Sequence, residues 1–297
     1  VGAQARLDLK ESAAMAILYG YLMPAAEGRG IMKKLTVRDI LEAKGKRTLA
    51  EVLVTDQATA RACEAAGIDL LITTAAHVRA VRSGAPNTFL TAGVPYGSAN
   101  ASDAEAIRAG FSALGEGADA VYAFMGLGRI RAMAEEAIPV VGHVGLVPER
   151  LTWLGGFRAV GKNAQEALQV YRDTLALQEA GAFAVEMECV PQRVAAEITK
   201  RVDLFVISMG SGGGCDGQYL FACDILGTHE GRMPRHAKKY RNLFAEMQRL
   251  NEESVAAFKE FGEDVASGAF PAKGNIVEIK DEEFERFLGE IHKVGGR

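Results

Sequence analysis

The sequence predicts a (β/α)8 TIM barrel in a single domain, and three observations point there. Short apolar runs rich in Val, Ile, Leu and Ala alternate with longer amphipathic stretches along the 297 residues, as parallel strands and their covering helices do. Glycine recurs between a helix and the next strand, at Gly67, Gly117 and Gly181, where a helix C-cap belongs. No GxGxxG opening accompanies these joints, which favours a closed barrel over a dinucleotide-binding sheet.

Taken in order, the strands are expected at 50–55, 70–74, 88–92, 120–124, 140–144, 184–188 and 204–208, with a weaker one at 219–222. The stretches TARACEAAG, SDAEAIRAGFSALGEGA, NAQEALQVYRDTLALQEAGA and PQRVAAEITKRV between them carry apolar residues at three- and four-residue spacing, so they read as helices facing a sheet. Residues 1–31 do not fit the repeat and read as an N-terminal extension, with Met32 opening the barrel segment, 32–275. The remainder, 276–297, reads as an exposed amphipathic helix with a frayed tail.

Composition narrows the function classes. Hydrophobic residues at 48% and charged residues at 24% describe a chain able to bury a sizeable core. A formal net charge of -4 leaves no basic field for nucleic acid. Cys63, Cys189, Cys215 and Cys223 form no CxxC pair, so neither a zinc site nor a disulfide framework is expected. The absence of a long apolar run or a secretory leader pattern makes a cytoplasmic protein without membrane partners the expectation.

Five segments carry a resemblance: KKLTVRDILEAKG at 33–45, PVVGHVGL at 139–146 with Pro148, LGGFRAVGK at 154–162, ALQEAGAFAVEMECVP at 176–191, and GCDGQ at 214–218. On these the chain, from Met32 to about Pro271, resembles ketopantoate hydroxymethyltransferase, a family related to phosphoenolpyruvate mutase and isocitrate lyase. The resemblance implies proton removal next to the carbonyl of 3-methyl-2-oxobutanoate, followed by attack of the enolate on methylene-tetrahydrofolate. It also implies Mg2+ as the electrophile, a glutamate as the base and a homo-oligomer, often a decamer.

Glu188 matches the catalytic glutamate and falls at the C-terminal end of a predicted strand, where barrel chemistry sits; a structural ion pair is its alternative. His143 matches the family histidine that contacts the oxo acid, the alternative being a merely buried ring. The metal-binding positions depart from the pattern. The family's VGDS aligns with Thr73, Thr74, Ala75 and Ala76, its ADLPF with the stretch from Ala92 to Tyr96, and the lysine and glutamate of its VKIEG with Tyr122 and Phe124. Ala75 and Gly93 offer no side-chain oxygen, so no metal ligand is assigned and no cofactor is read from the residues. The segment after Ala76 is also shorter by roughly twenty residues than the resemblance leads one to expect.

Thr74, Ser98 and Tyr122 are expected to donate neutral hydrogen bonds to substrate, or else to fill the barrel mouth. Gly210 and Ser211 open a glycine-rich stretch that reads either as an anion-receiving loop or as a tight turn. Asp56 and Asp216 are expected to organise loops. Glu186 and Glu188, two residues apart, share a strand face at different depths. The overall expectation is a hydroxymethyltransferase-like or lyase-type enzyme acting on a small 2-oxo acid with altered substrate and metal dependence. Authentic ketopantoate formation and a non-catalytic binding or scaffold protein stand as alternatives.

Overall fold

A computed structural model describes residues 34–294, so the expected extension, 1–31, and the end of the tail lie outside the described residues. Two compact units divide the chain: one runs to Ile225 and includes Gly231–Lys239, and the other comprises Leu226–Glu230 and Tyr240–Arg297.

The first unit is a closed parallel barrel whose eight strands are ordered as in the sequence. They are β1 Leu49–Leu53, β2 Leu70–Thr74, β3 Phe89–Gly93, β4 Ala120–Tyr122, β5 Val140–Gly145, β6 Ala184–Glu188, β7 Phe205–Met209 and β8 Gly217–Phe221. A short helix, α1 (Val37–Ala43), precedes β1, entered through a reciprocal Thr36–Asp39 cap. Covering helices follow as α2 Gln57–Ala66, α3 Val78–Gly84, α4 Asp103–Gly115, α5 Leu127–Glu135, α6 Leu151–Leu154, α7 Ala164–Glu179, α8 Gln192–Thr199 and α9 Ala222–Leu226. Gly67 caps α2 at φ 78°, and Gly117 and Gly181 follow α4 and α7 at φ 111° and 92°, as the recurrent glycines predict.

Alternation along each strand separates two cores. Val52, Leu71, Leu90, Val121, Val185 and Val206 pack with the helices. Leu49, Ile72, Phe89, Val141, Phe205 and Tyr219 fill the barrel interior, and Ile40 of α1 joins them.

The connection from β7 to β8 makes the glycine-rich stretch a close-packed crossover. Parallel neighbours ordinarily need a crossover of about a dozen residues or more, usually helical; here residues 210–216 make it without a helix. They run against α8, and the missing side chains are what allow it. A Cβ on Gly212 would lie 2.5 Å from Gln192, and one on Gly214 would lie 2.4 Å from the Cβ of Ala196. Asp216 ends the crossover by accepting from the backbone N–H of Val206 at 2.9 Å and from Lys44 Nζ at 2.7 Å. After β8 the helix α9 stops at Leu226, and helix resumes only at Leu243.

In the second unit, α10 (Leu243–Ser267) and α11 (Asp281–Val294) account for most of the chain, the latter being the amphipathic C-terminal helix that the sequence predicts. Among the described residues no helix is long and apolar enough to cross a membrane.

Gly214→Ala is expected to cost about 1–3 kcal/mol of stability through overpacking, whereas Gly213→Ala, whose Cβ meets nothing within 4 Å, is expected to be neutral. Urea unfolding of the two variants checks this, and equal effects would contradict the packing role of the crossover.

Candidate active site

Parity on the closing strands puts an unusual set of polar side chains inside the barrel. Glu51 from β1, Tyr122 from β4, His143 from β5, Glu186 and Glu188 from β6 and Tyr219 from β8 fall on the inward positions. Register places His143 beside Glu186, Gly145 beside Glu188, and Glu51 beside Tyr219. Glu51 and Glu186 are 2% and 3% exposed, and Glu188, nearer the C-terminal rim, is 8% exposed.

His143 stands at the centre. Its Nε2 lies 3.0 Å from the carbonyl oxygen of Leu146, which can only accept, so the ring hydrogen sits on Nε2. The lone pair on Nδ1 then accepts from the Tyr122 hydroxyl at 2.8 Å. The two glutamates flank the ring on opposite sides, Glu186 Oε2 at 3.6 Å from Nδ1 and Glu188 Oε2 at 3.3 Å from Nε2. Sequence reasoning expected Glu186 and Glu188 to sit at different depths on one face, and the imidazole spans that difference.

Local backbone holds this arrangement. Gly145 adopts φ +89°, and a Cβ there would fall 2.2 Å from the Glu188 carbonyl oxygen. The close approach lets the Leu146 N–H donate to that same oxygen at 2.9 Å. Cys189, directly after Glu188, has φ 52°, a conformation that a non-glycine residue adopts only where its surroundings over-determine it.

The electrostatics are one-sided. Burial pushes the Glu51 carboxyl up to about 8. Burial, and then the charges of Glu51, Glu188 and Glu149, raise Glu186 well above the ordinary carboxylate range. Tyr122 and Tyr219 are raised by burial and by the same acids, and no lysine or arginine contributes to any of these shifts. Glu51 Oε2, Glu149 Oε2, Glu186 Oε1 and Glu188 Oε2 are buried without a hydrogen-bond partner. For Glu51 and Glu186 burial favours the protonated form.

Other expected site residues are distributed differently. Thr74, exposed at the end of β2, has its hydroxyl 2.8 Å from His77 Nδ1. Ser98 is exposed between β3 and α4. Gly210 has φ 74° and packs against His236. Ser211 is 1% exposed, and its hydroxyl donates to the Met187 carbonyl at 2.8 Å while accepting from the Val190 N–H at 2.9 Å. That hydroxyl clamps the end of β6 to the start of the crossover, so a direct substrate contact is corrected to a structural one. Asp56 caps α2 by accepting from Thr59 N–H, as a loop organiser does.

The positions that the resemblance assigns to metal fit it poorly. Ala75 and Gly93 carry no ligand atom. Phe124 stacks on Tyr96 at 6.4 Å and lies 5.2 Å beneath the Arg150 guanidinium, so the local charge is already positive. A cavity of about 160 Å³ adjoins Phe124, His143, Gly145 and Arg150.

Glu51, Glu149, Arg150 and Tyr219 went unassigned in the sequence. Glu51 had a readable signal, a lone acid flanked at two-residue spacing by Leu49 and Leu53 on the inward face of a strand.

Because folding raises Glu51 from 4.5 to about 8, the folded chain keeps a proton that the unfolded chain releases across that interval. Stability therefore falls as pH rises through it. Unfolding midpoints between about pH 5 and pH 8.5 should decline in the wild type and decline less in Glu51→Gln. A wild-type profile that rises over this range would contradict the buried-acid assignment.

Comparison with known proteins places this chain in a family. A sequence model described as ketopantoate hydroxymethyltransferase matches residues 71–273. The 3-methyl-2-oxobutanoate hydroxymethyltransferase of Nitratidesulfovibrio vulgaris (strain DP4) is 33% identical over 295 residues, covering 91% of this chain and 94% of the relative. The enzyme of that name from Hyperthermus butylicus is 36% identical over 290 residues, covering 89% and 98%. Among solved structures, the carboxyl transferase domain of Rhizobium etli pyruvate carboxylase aligns with a TM-score of 0.53 at 12% identity, over 68% of this chain and 46% of that one, a likeness of fold alone. The chain belongs to the ketopantoate hydroxymethyltransferase family.

Proposed function

We propose that this chain is an enzyme that makes or breaks a carbon-carbon bond next to the carbonyl of a small 2-oxo acid, with Glu188 as the base and a metal dependence altered from the family's. The observation that carries this reading is the Glu188–His143–Tyr122 constellation at the C-terminal end of the barrel, retained where Ala75 and Gly93 supply no ligand. Glu188 has an unpartnered buried oxygen free to take a proton. The Nε2–H of His143 is the donor nearest to it, and Arg150, which lines with His143 a cavity that extends to Asp173 and Leu177 of α7, is the cation offered to the acid's carboxylate. Methylene-tetrahydrofolate is the one-carbon donor that the family implies, and exposed Tyr96, stacked on Phe124, offers an aromatic face for a flat ring.

A second reading, authentic 3-methyl-2-oxobutanoate hydroxymethyltransferase, is favoured by the identity of 33–36% over about nine tenths of the chain. Turnover of a 2-oxo acid panel with methylene-tetrahydrofolate, with Mg2+ or with chelator, separates the two. The proposal expects product in chelator and a loss of about 10²–10⁴-fold in kcat for Glu188→Gln. Formation of ketopantoate only with Mg2+ supports the second reading. No turnover under any condition, with Glu188→Gln indistinguishable from wild type, supports the binding or scaffold alternative.

Self-association is proposed on α10. Met247, Leu250, Val255, Phe258, Phe261 and Val265 share one face of a 25-residue helix with no buried residue. A second copy of the chain is the proposed occupant, in keeping with the homo-oligomers that the family resemblance implies. Light scattering should show an oligomer that Phe258→Asp with Phe261→Asp dissociates; a monomeric wild type would remove this proposal.

A further inference from the structure

Of the groups that the proposed reaction does not use, Glu186 is the one whose surroundings demand an explanation. It is 3% exposed, one of its oxygens is unpartnered, and the other faces His143 Nδ1 on the side of the ring away from Glu188. A purely structural acid at this depth would be expected to have an arginine, a lysine or a full set of donors. Glu186 instead faces Glu51 from β1, Tyr122 from β4, Glu149 after β5, Glu188 on its own strand and Tyr219 from β8.

We propose that Glu186 is a positioning residue that stores a proton behind His143 and passes it through the ring to the barrel mouth. This rests on the enolate chemistry proposed above. As negative charge develops on the substrate carbonyl oxygen, the Nε2–H bond breaks and an enol O–H bond forms. The Glu186 O–H bond breaks at the same time and Nδ1–H forms, so the ring ends neutral in its other tautomer and Glu186 ends as a carboxylate. The Tyr122 hydroxyl, which donates to Nδ1 at rest, turns to donate to that carboxylate. Return of the proton resets the pair, and no oxidant or reductant is involved.

The geometry supplies the polarity of the relay. Leu146 O fixes the hydrogen on Nε2 at rest, leaving Nδ1 as the acceptor on the Glu186 side. Burial keeps Glu186 protonated, and Glu51, equally buried, adds like-charge repulsion once it ionises. A neutral carboxyl then does for the developing charge what a metal ion does elsewhere, as a hydrogen-bond donor acting through an imidazole.

The test reads the proton directly, without turnover. Infrared spectra of the full chain at neutral pH should show protonated-carboxyl absorption from both Glu51 and Glu186, from which Glu186→Gln removes one component and Glu186→Asp retains it; Glu51→Gln should remove the other and lower the pH at which the Glu186 component disappears. Nitrogen NMR of ring-labelled histidine should find His143 as the Nε2–H tautomer at rest. Saturating oxalate, a planar dianion shaped like an enolate, should move the ring hydrogen to Nδ1 in the wild type and not in Glu186→Gln. Absence of the Glu186 component, a ring that oxalate leaves unchanged in the wild type, or a stoichiometric divalent metal whose removal alters the His143 signals would overturn the relay. Failure to turn over any 2-oxo acid leaves these spectra as they are, so the two readings fail separately.

Discussion

The constraint on which everything else depends is the two-residue alternation of strands closed into a barrel. Once the eight strands pair in order, the inward positions of β1, β4, β5, β6 and β8 must hold Glu51, Tyr122, His143, Glu186, Glu188 and Tyr219, with no freedom to send one outward unless the whole strand slips. Aliphatic and aromatic side chains below them, among them Phe205 and Leu49, exclude water and make Glu51 and Glu186 costly to ionise. The polar layer is thus a consequence of topology, and the protonation of Glu51 and Glu186 is a consequence of the layer.

On the proposed reading, that order of causes lets a chain of this family keep a proton-transfer apparatus with Ala75 and Gly93 at the positions the resemblance assigns to metal. Loss of carboxylates at Ala75 and Gly93 removes the means of holding a hard cation at that rim. Carboxyl groups have accumulated one layer deeper, where Glu51 and Glu186 meet without a counter-cation and burial holds them protonated. The remaining donors, the Tyr122 hydroxyl and the Nε2–H of His143, are neutral and oriented by a single backbone carbonyl at Leu146. Gly145 and Cys189, both in the left-handed region, show where backbone strain is accepted to hold Glu188 beside that ring.

The strands were legible because fully buried parallel strands are short apolar runs, and β2 and β6 fall on the predicted residues 70–74 and 184–188. The glycine-rich stretch was less legible. Periodicity does not distinguish a loop that receives a ligand from an extended crossover whose glycines avoid Ala196 and Gln192, because the reason lies in a neighbouring helix. Glu188, His143 and Tyr122 were found by resemblance. Glu51 was overlooked, because one acid within an apolar strand passes for tolerance unless parity is followed to the strands that face it. Ser211 misled because its hydroxyl is spent on the Met187 carbonyl and the Val190 N–H, which no local pattern announces.

The central claim is that Glu188 removes a proton next to a 2-oxo acid carbonyl without a metal at the family's rim. Its most direct measurement is proton NMR of 3-methyl-2-oxobutanoate incubated with the chain in D2O and excess chelator, following loss of the signal from the hydrogen next to the carbonyl. The account predicts exchange above the buffer rate that Glu188→Gln abolishes. Exchange that appears only when Mg2+ is restored, or that persists unchanged in Glu188→Gln, would contradict it.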